Sequence, residues 1–331
     1  MANPHSDSWI RSRAASTAVL IAMVVAGLLL GSGCQRWKLT PVSDRLQPSN
    51  DRDWSPEQRS MPFADVDGSV YALRNIRNCR YLSVDDYVVE YYDRQIELSQ
   101  IQSVDFIVVP FKKAPALAHT MLSFGLDDGT YLVVSVEVRK EKDEKYNVLA
   151  GLTRKFELIY VLGDERDLIG VRARHYESDV FVYPSTARPE QAQKLFAEIV
   201  ERMNLLVADP EFYNSVTNNC TTNLKDHVNR LAPEKIRWDW KVLLPGYSAK
   251  HAYDAGLLDN RIPFKDLESM AYVNDLVEKY FEDPQFSQRI RSNRDKIDRY
   301  AQREANRQSV ITSAGQDYLD SQTGRQGLIR R

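Results

Sequence analysis

Leu117-Ala118-His119-Thr120-Met121-Leu122-Ser123-Phe124-Gly125-Leu126, then Asp127-Asp128-Gly129, then Thr130-Tyr131-Leu132-Val133-Val134-Ser135-Val136-Glu137-Val138-Arg139 is the stretch on which the fold turns. Two runs rich in apolar and β-branched residues flank an Asp-Gly turn, which reads as a β-hairpin. A turn centred on Asp128 places His119 opposite Glu137. A carboxylate across a ladder from a histidine can accept the second ring N–H and fix the tautomer. A slip of one residue would bring Val136 or Val138 there instead.

Working outward, residues 104–110 form a largely β-branched run suited to a strand covered on both faces. Residues 155–162 and 180–183 read as further strands, and residues 64–77 as a second hairpin turning at Asp67-Gly68. The period then changes. From Pro189 the apolar residues Ala192, Leu195, Phe196, Ile199 and Met203 recur at helical spacing, and a second helix begins at or near Cys220 and runs to about Leu231. Short amphipathic helices follow within 265–281, and the end of the chain is charged and glutamine-rich. A sheet followed by helices predicts an α+β domain with a central antiparallel sheet and packed helices. The boundaries read as 1–33 export signal or membrane anchor, 34–60 tether, 61–260 main folded domain, 261–307 helical extension and 308–331 disordered tail.

The 331 residues carry 44 Lys+Arg against 46 Asp+Glu, a net charge of -2, so the basic excess that polyanion binding requires is absent. Nucleic acid is not an expected partner. Three cysteines cannot form a disulfide framework, and their spacing offers neither a zinc site nor any other metal site. Each is read singly.

Arg11 and Arg13 precede a 17-residue uncharged run, Ala14 to Leu30, which has the order of an export signal. That length is also the lower limit for a membrane-spanning helix, so an uncleaved anchor is the alternative. Gly31-Ser32-Gly33-Cys34-Gln35 resembles a bacterial lipoprotein cleavage box, with Gly31 where leucine is expected. Cys34 would then be the lipidated residue, and the mature chain, a monomer, would sit on the periplasmic side of the cell envelope, held at a membrane by its N-terminus.

Outside the cytoplasm an unpaired thiol is exposed to oxidation. Cys79 lies in Arg77-Asn78-Cys79-Arg80-Tyr81 with no acid-base partner nearby, whereas Cys220 ends a polar turn, Tyr213 to Asn219, that leads straight into a helix. A thiol in the first turn of a helix meets the positive end of the macrodipole and free N–H groups that can also hold an oxyanion. A nucleophile needs a base. His227 lies seven residues further along the same helix, about 10 Å away, which leaves His119 as the candidate base. Tyr213, Asn218, Asn219, Thr221 and Asn223 are turn and capping residues that can also line a substrate pocket. Asp164-Glu165-Arg166-Asp167 reads as a solvated turn, and Trp238, Trp240 and Tyr247 as caps of the core or an interfacial belt.

Phe63-Ala64-Asp65-Val66-Asp67-Gly68, Asn75-Ile76-Arg77-Asn78, Ala118-His119-Thr120, Ser135-Val136-Glu137, Phe156 to Val161 and above all Tyr213-Asn214 through Asn218-Asn219-Cys220-Thr221-Thr222-Asn223 resemble the Lnb N-terminal periplasmic domain family, over roughly residues 50–270. That family is similar to circularly permuted papain-like enzymes, in which histidine on a strand precedes cysteine at a helix start. The resemblance implies a papain-like thiol acyl-transfer enzyme with Cys220 as nucleophile, His119 as base and then acid, Glu137 or Ser135 as a polar third group, and no metal or organic cofactor. It further implies N-acylation of lipoproteins, with an acyl donor lipid and a lipoprotein or peptide as partners. Family members carry a membrane-embedded C-terminal part, whereas residues 246–331 hold no apolar run long enough to span a bilayer. Two rival readings stand beside it. One keeps the dyad in a cell-wall cysteine peptidase or amidase; the other is a non-catalytic envelope module in which Cys79 and Cys220 form a disulfide.

Overall fold

The computed structural model describes residues 47–145, 150–231, 244–303 and 306–307. The expected signal or anchor, the lipidation of Cys34, Trp238, Trp240 and the tail 308–331 lie outside the described residues. Among the described residues no helix is long and apolar enough to cross a membrane.

Among the described residues ten strands form: β1 Phe63–Asp67, β2 Val70–Arg77, β3 Arg80–Tyr81, β4 Tyr87–Val88, β5 Tyr91–Glu97, β6 Ile101–Phe111, β7 Ala114–Leu126, β8 Tyr131–Arg139, β9 Glu157–Asp164 and β10 Phe181–Pro184. Eight of them build one sheet in the order β1-β2-β9-β8-β7-β6-β10, with β5 on the other edge of β2. The sheet is mixed, not wholly antiparallel as expected, because Arg77 of β2 meets Gly163 of β9 in a parallel pair. A close approach is required there. A Cβ on Gly163 would stand 2.9 Å from Leu168 Cδ1 and 3.1 Å from the Arg77 carbonyl oxygen, so any larger residue would have to push both neighbours back.

The β7–β8 hairpin has the expected register, Met121 opposite Ser135 through Gly125 opposite Tyr131. Its turn is held by Asp128, whose carboxylate accepts the Thr130 N–H at 2.9 Å and the Thr130 hydroxyl at 2.6 Å, with Gly129 at φ +80°. The ladder ends at Met121 and Ser135. Beyond that point β7 continues on β6 and β8 continues on β9, so the two strands part.

Alternation along the strands supplies two covered faces. Leu132, Val134 and Val136 of β8 with Leu158, Tyr160 and Leu162 of β9 pack under the helix Pro189–Ala208, whose Ala192, Leu195, Phe196, Ile199 and Met203 are buried as its spacing predicts. Val133 of β8 and Ile159 and Val161 of β9 meet Leu168 and Ile169 on the other face, with Val273, Val277, Phe286 and Ile290. In chain order the helices are α1 Glu165–Gly170, α2 Pro189–Ala208, α3 Cys220–Leu231, α4 Ser248–Asp254, α5 Phe264–Ala271, α6 Asn274–Tyr280 and α7 Phe286–Arg289.

Three expectations are corrected. Residues 47–60, expected within a tether, lie on the domain: Trp54 is buried and bridges to Glu141, and the buried Gln58 bonds the Val138 carbonyl at 2.9 Å. Asn50, Arg52 and Gln58 of this segment spend their polarity on partners in the domain, while Asp51, Asp53 and Arg59 stay exposed. Asp164-Glu165-Arg166-Asp167 is no solvated turn, because Asp164 caps α1 through the Arg166 N–H while Glu165 and Asp167 are fully buried. Asp167 holds Arg77 through two bonds of 2.9 Å and the Cys79 N–H at 2.8 Å, so its charge is matched from far along the chain. The segment after residue 260 is integral as well, since Arg291 enters the sheet and bonds Asp105 at 2.7 Å, together with Glu165 and Ser123.

Candidate active site

Cys220 is the first residue of α3 because Asn219 caps that helix. The Asn219 side chain accepts the Thr222 N–H at 3.0 Å while the Thr222 hydroxyl accepts the Asn219 N–H at 2.8 Å, a reciprocal capping box. The start of α3 lies against β7 and β8, the strands that part beyond Met121 and Ser135. The buried Cys220 Sγ lies 3.8 Å from the Thr221 hydroxyl, and His119 and Thr120 are close enough to favour its thiolate. Burial alone would raise its pKa, but these partners bring it down to about 7.

His119 does not reach Glu137 directly, as the expected cross-strand pair would have it. Its Nε2 lies 2.7 Å from Ser135 Oγ and 3.9 Å from Glu137 Oε1, because the ladder stops one step short and Ser135 fills the gap. Ser135 donates its proton to Glu137 Oε1 at 2.8 Å. A carboxylate can only accept, so the Ser135 oxygen must accept from His119 Nε2–H, and His119 Nδ1 is left as the lone-pair nitrogen for the thiol. Glu137 also accepts from Arg172 at 2.7 Å and from Gln58 at 3.4 Å. Burial would raise its carboxyl, yet Arg172, Arg77 and His119 together hold it well below the usual carboxylate range. The anion at the end of this chain is thus held ionised, and it stabilises a proton arriving on His119.

The other candidates are divided. Thr221 lies beside Thr120, their hydroxyls 3.4 Å apart, and both border an apolar cavity of about 200 Å³ lined by Leu122, Leu195, Leu224 and Leu258. Asn218 and Asn223 instead brace the turn: Asn218 donates to Glu211 and the Phe212 carbonyl, and Asn223 donates to Asn218 and the Asn219 carbonyl. Tyr213 is buried and its N–H bonds the Phe156 carbonyl. Thr120, Arg172, Gln58 and Arg77 were not singled out from the sequence. Thr120 had one available signal, its adjacency to the candidate base; the others lie 35 to 79 residues from Glu137 and carried none.

Cys79 and Cys220 are both free thiols, which removes the premise of the disulfide reading. Burial, with Asp167 beside it, pushes Cys79 up to about 12. Alkylation by iodoacetamide in the native protein is therefore expected to follow one titration, rising through about pH 7 at Cys220, with Cys79 unmodified below pH 9. Peptide mass mapping reads both sites, and equal labelling of the two would contradict the assignment. No group of three or more His, Cys, Asp or Glu side chains that could hold a metal ion occurs among the described residues.

Residues 87–246 match the family model of the Lnb N-terminal periplasmic domain. Comparison with curated proteins and with solved structures gave no match. The matched segment contains the hydrogen-bonded chain His119, Ser135 and Glu137 together with Cys220.

Proposed function

We propose that this chain, whose residues 87–246 belong to the Lnb N-terminal periplasmic domain family, is an envelope thiol acyltransferase with a permuted papain-like catalytic arrangement, working through an acyl-thioester on Cys220. One observation carries the reading: the chain Cys220, His119, Ser135, Glu137 adjoins an apolar cavity. At about 200 Å³ the cavity exceeds the roughly 150 Å³ that accommodates benzene, and its walls are almost wholly hydrocarbon. Such a space suits the methylene chain of a fatty acyl group better than a polar cell-wall peptide.

The chemistry follows from the tautomer. His119 Nδ1 removes the thiol proton as Cys220 Sγ attacks the carbonyl carbon of the donor ester. The N–H groups of Cys220 and Thr221, which precede the capped Thr222 N–H, face the oxyanion that forms. His119 then gives its proton to the leaving alkoxide, and a thioester remains. In the second half an acceptor amine attacks the thioester, His119 takes the amine proton and returns it to the departing thiolate. Ser135 and Glu137 hold the imidazole in place and neutralise its charge in between.

Intact-protein mass spectrometry after incubation with phospholipid vesicles is expected to show one acyl chain added, located at Cys220 and removed by hydroxylamine. Release of peptide from a muropeptide with no lipid adduct would instead favour the peptidase or amidase.

A further inference from the structure

The apolar cavity beside the nucleophile has a direction, and that direction limits what it can hold. Its α3 wall consists of Thr221, Leu224, Lys225, Val228 and Leu231, which recur every three or four residues and so form one stripe along the helix. From Thr221 to Leu231 that stripe rises about 15 Å. The sheet contributes Val104 and Phe106 of β6 with Thr120 and Leu122 of β7, and Leu195 of α2 and Leu258 complete the apolar lining.

Burial falls along the stripe. Thr221 and Leu224 are buried, Lys225 and Val228 are half-buried, and Leu231 is 36% exposed. The cavity is therefore deep beside Cys220 and open toward the C-terminal end of α3. Asp105 and Lys225 on the lining are already paired, Asp105 with Arg291 at 2.7 Å and Lys225 with Asp226 at 2.9 Å. With its charge met there, Lys225 leaves its methylenes to the wall.

An extended alkyl chain advances about 1.3 Å per carbon, given carbon–carbon bonds of about 1.5 Å at the tetrahedral angle. About a dozen carbons then cover the stripe. A pocket with a blind far end would reject any longer chain. Past an open end, further methylenes emerge into water and add nothing to binding.

We propose that this cavity is an open-ended cleft for a straight, long-chain acyl group, its carbonyl at Cys220 and its first dozen or so carbons along α3. The remainder of a longer chain passes out beyond Leu231. The proposal rests on the acyl-thioester reading and names its donor: acyl groups of about twelve carbons and longer, taken alike, in preference to short ones.

The test labels Cys220 of the full-length protein at fixed pH with straight-chain alkyl methanethiosulfonates, from ethyl to hexadecyl, each below its aggregation concentration. These reagents place an alkyl chain on the sulfur without acyl transfer, and peptide mass mapping reads Cys220 apart from the other cysteines. The second-order rate of labelling is expected to rise by up to about fourfold per methylene and to level off near dodecyl. Val228→Trp, which fills the cleft partway along α3, should bring the levelling to a shorter chain; the wild-type series decides alone if that variant does not fold. A rate independent of chain length, a fall beyond dodecyl, or the same levelling point in folded Val228→Trp would each overturn the cleft. Failure of the acyl-thioester reading shows separately, as no acyl adduct from phospholipid vesicles in protein that still gives this length series.

Discussion

Cys220→Ala is expected to abolish acyl transfer, and His119→Ala to reduce it by about 10³-fold or more, since members of a catalytic set act as one unit. The two variants fail for different reasons. Alanine at 220 removes the sulfur to which the acyl chain bonds. Alanine at 119 leaves the thiol in place but removes the partner that offsets its burial, so its pKa climbs from about 7 and thiolate becomes scarce at neutral pH. Alkylation of His119→Ala should accordingly titrate at higher pH than wild type, a readout independent of substrate. Ser135→Ala is the graded case. It leaves His119 Nε2–H facing Glu137 Oε1 across 3.9 Å with no hydroxyl between, so the ring is less firmly held and activity falls about tenfold. Equal activity in Cys220→Ala and wild type would sink the mechanism, and an unchanged alkylation profile in His119→Ala would remove His119 from it.

Arg291→Ala is expected to lower folding stability by about 3–5 kcal/mol, measured by urea denaturation. Arg291 is buried with Asp105, Glu165 and Ser123 around its guanidinium, and that group stacks 3.4 Å from the centre of the Tyr131 ring. Removing it leaves Glu165 without its cation, while Asp105 keeps only Arg294. Taking one partner from a buried ionic cluster costs far more than losing an exposed pair. Arg261→Ala is the internal control: its guanidinium is more than half exposed beside Asp259 and Asp298, and a loss below about 1 kcal/mol is expected. If the two variants were equally stable, the helical region after residue 260 would not be anchored to the sheet through Arg291.

The hairpin, the helix from Pro189 and the helix at Cys220 were legible because each writes a period over many residues. Asp128-Gly129 sets a turn, the turn sets the register, and the register brings Ser135 to Met121 as expected. Cys220 stood out from Cys79 by its place at a helix start, which is local information, and His119 because His227 lies too far along the same helix. The match of residues 87–246 to a periplasmic domain family agrees with the resemblance carried by those motifs.

The remainder belongs to the third dimension. Nothing within the quartet Asp164 to Asp167 reveals that two of its carboxylates are buried, because their cations are Arg77 and Arg291, 90 and 126 residues away in sequence. Gln58 looked like part of a polar tether for the same reason. Likewise the order His119, Ser135, Glu137 depends on where β7 leaves β8, which is set by the ladders each makes with β6 and β9. Periodicity reports which face of an element is apolar, and so the sequence alone determined the long strands of the hairpin and its neighbours, the main helices and the two candidate reacting side chains, but not β3, β4 or β5. Charge pairing across the sheet, the interposed Ser135 and the apolar cavity along α3 were decided by tertiary structure, since hydrogen bonds and ion pairs join side chains whose distance in space no local pattern encodes.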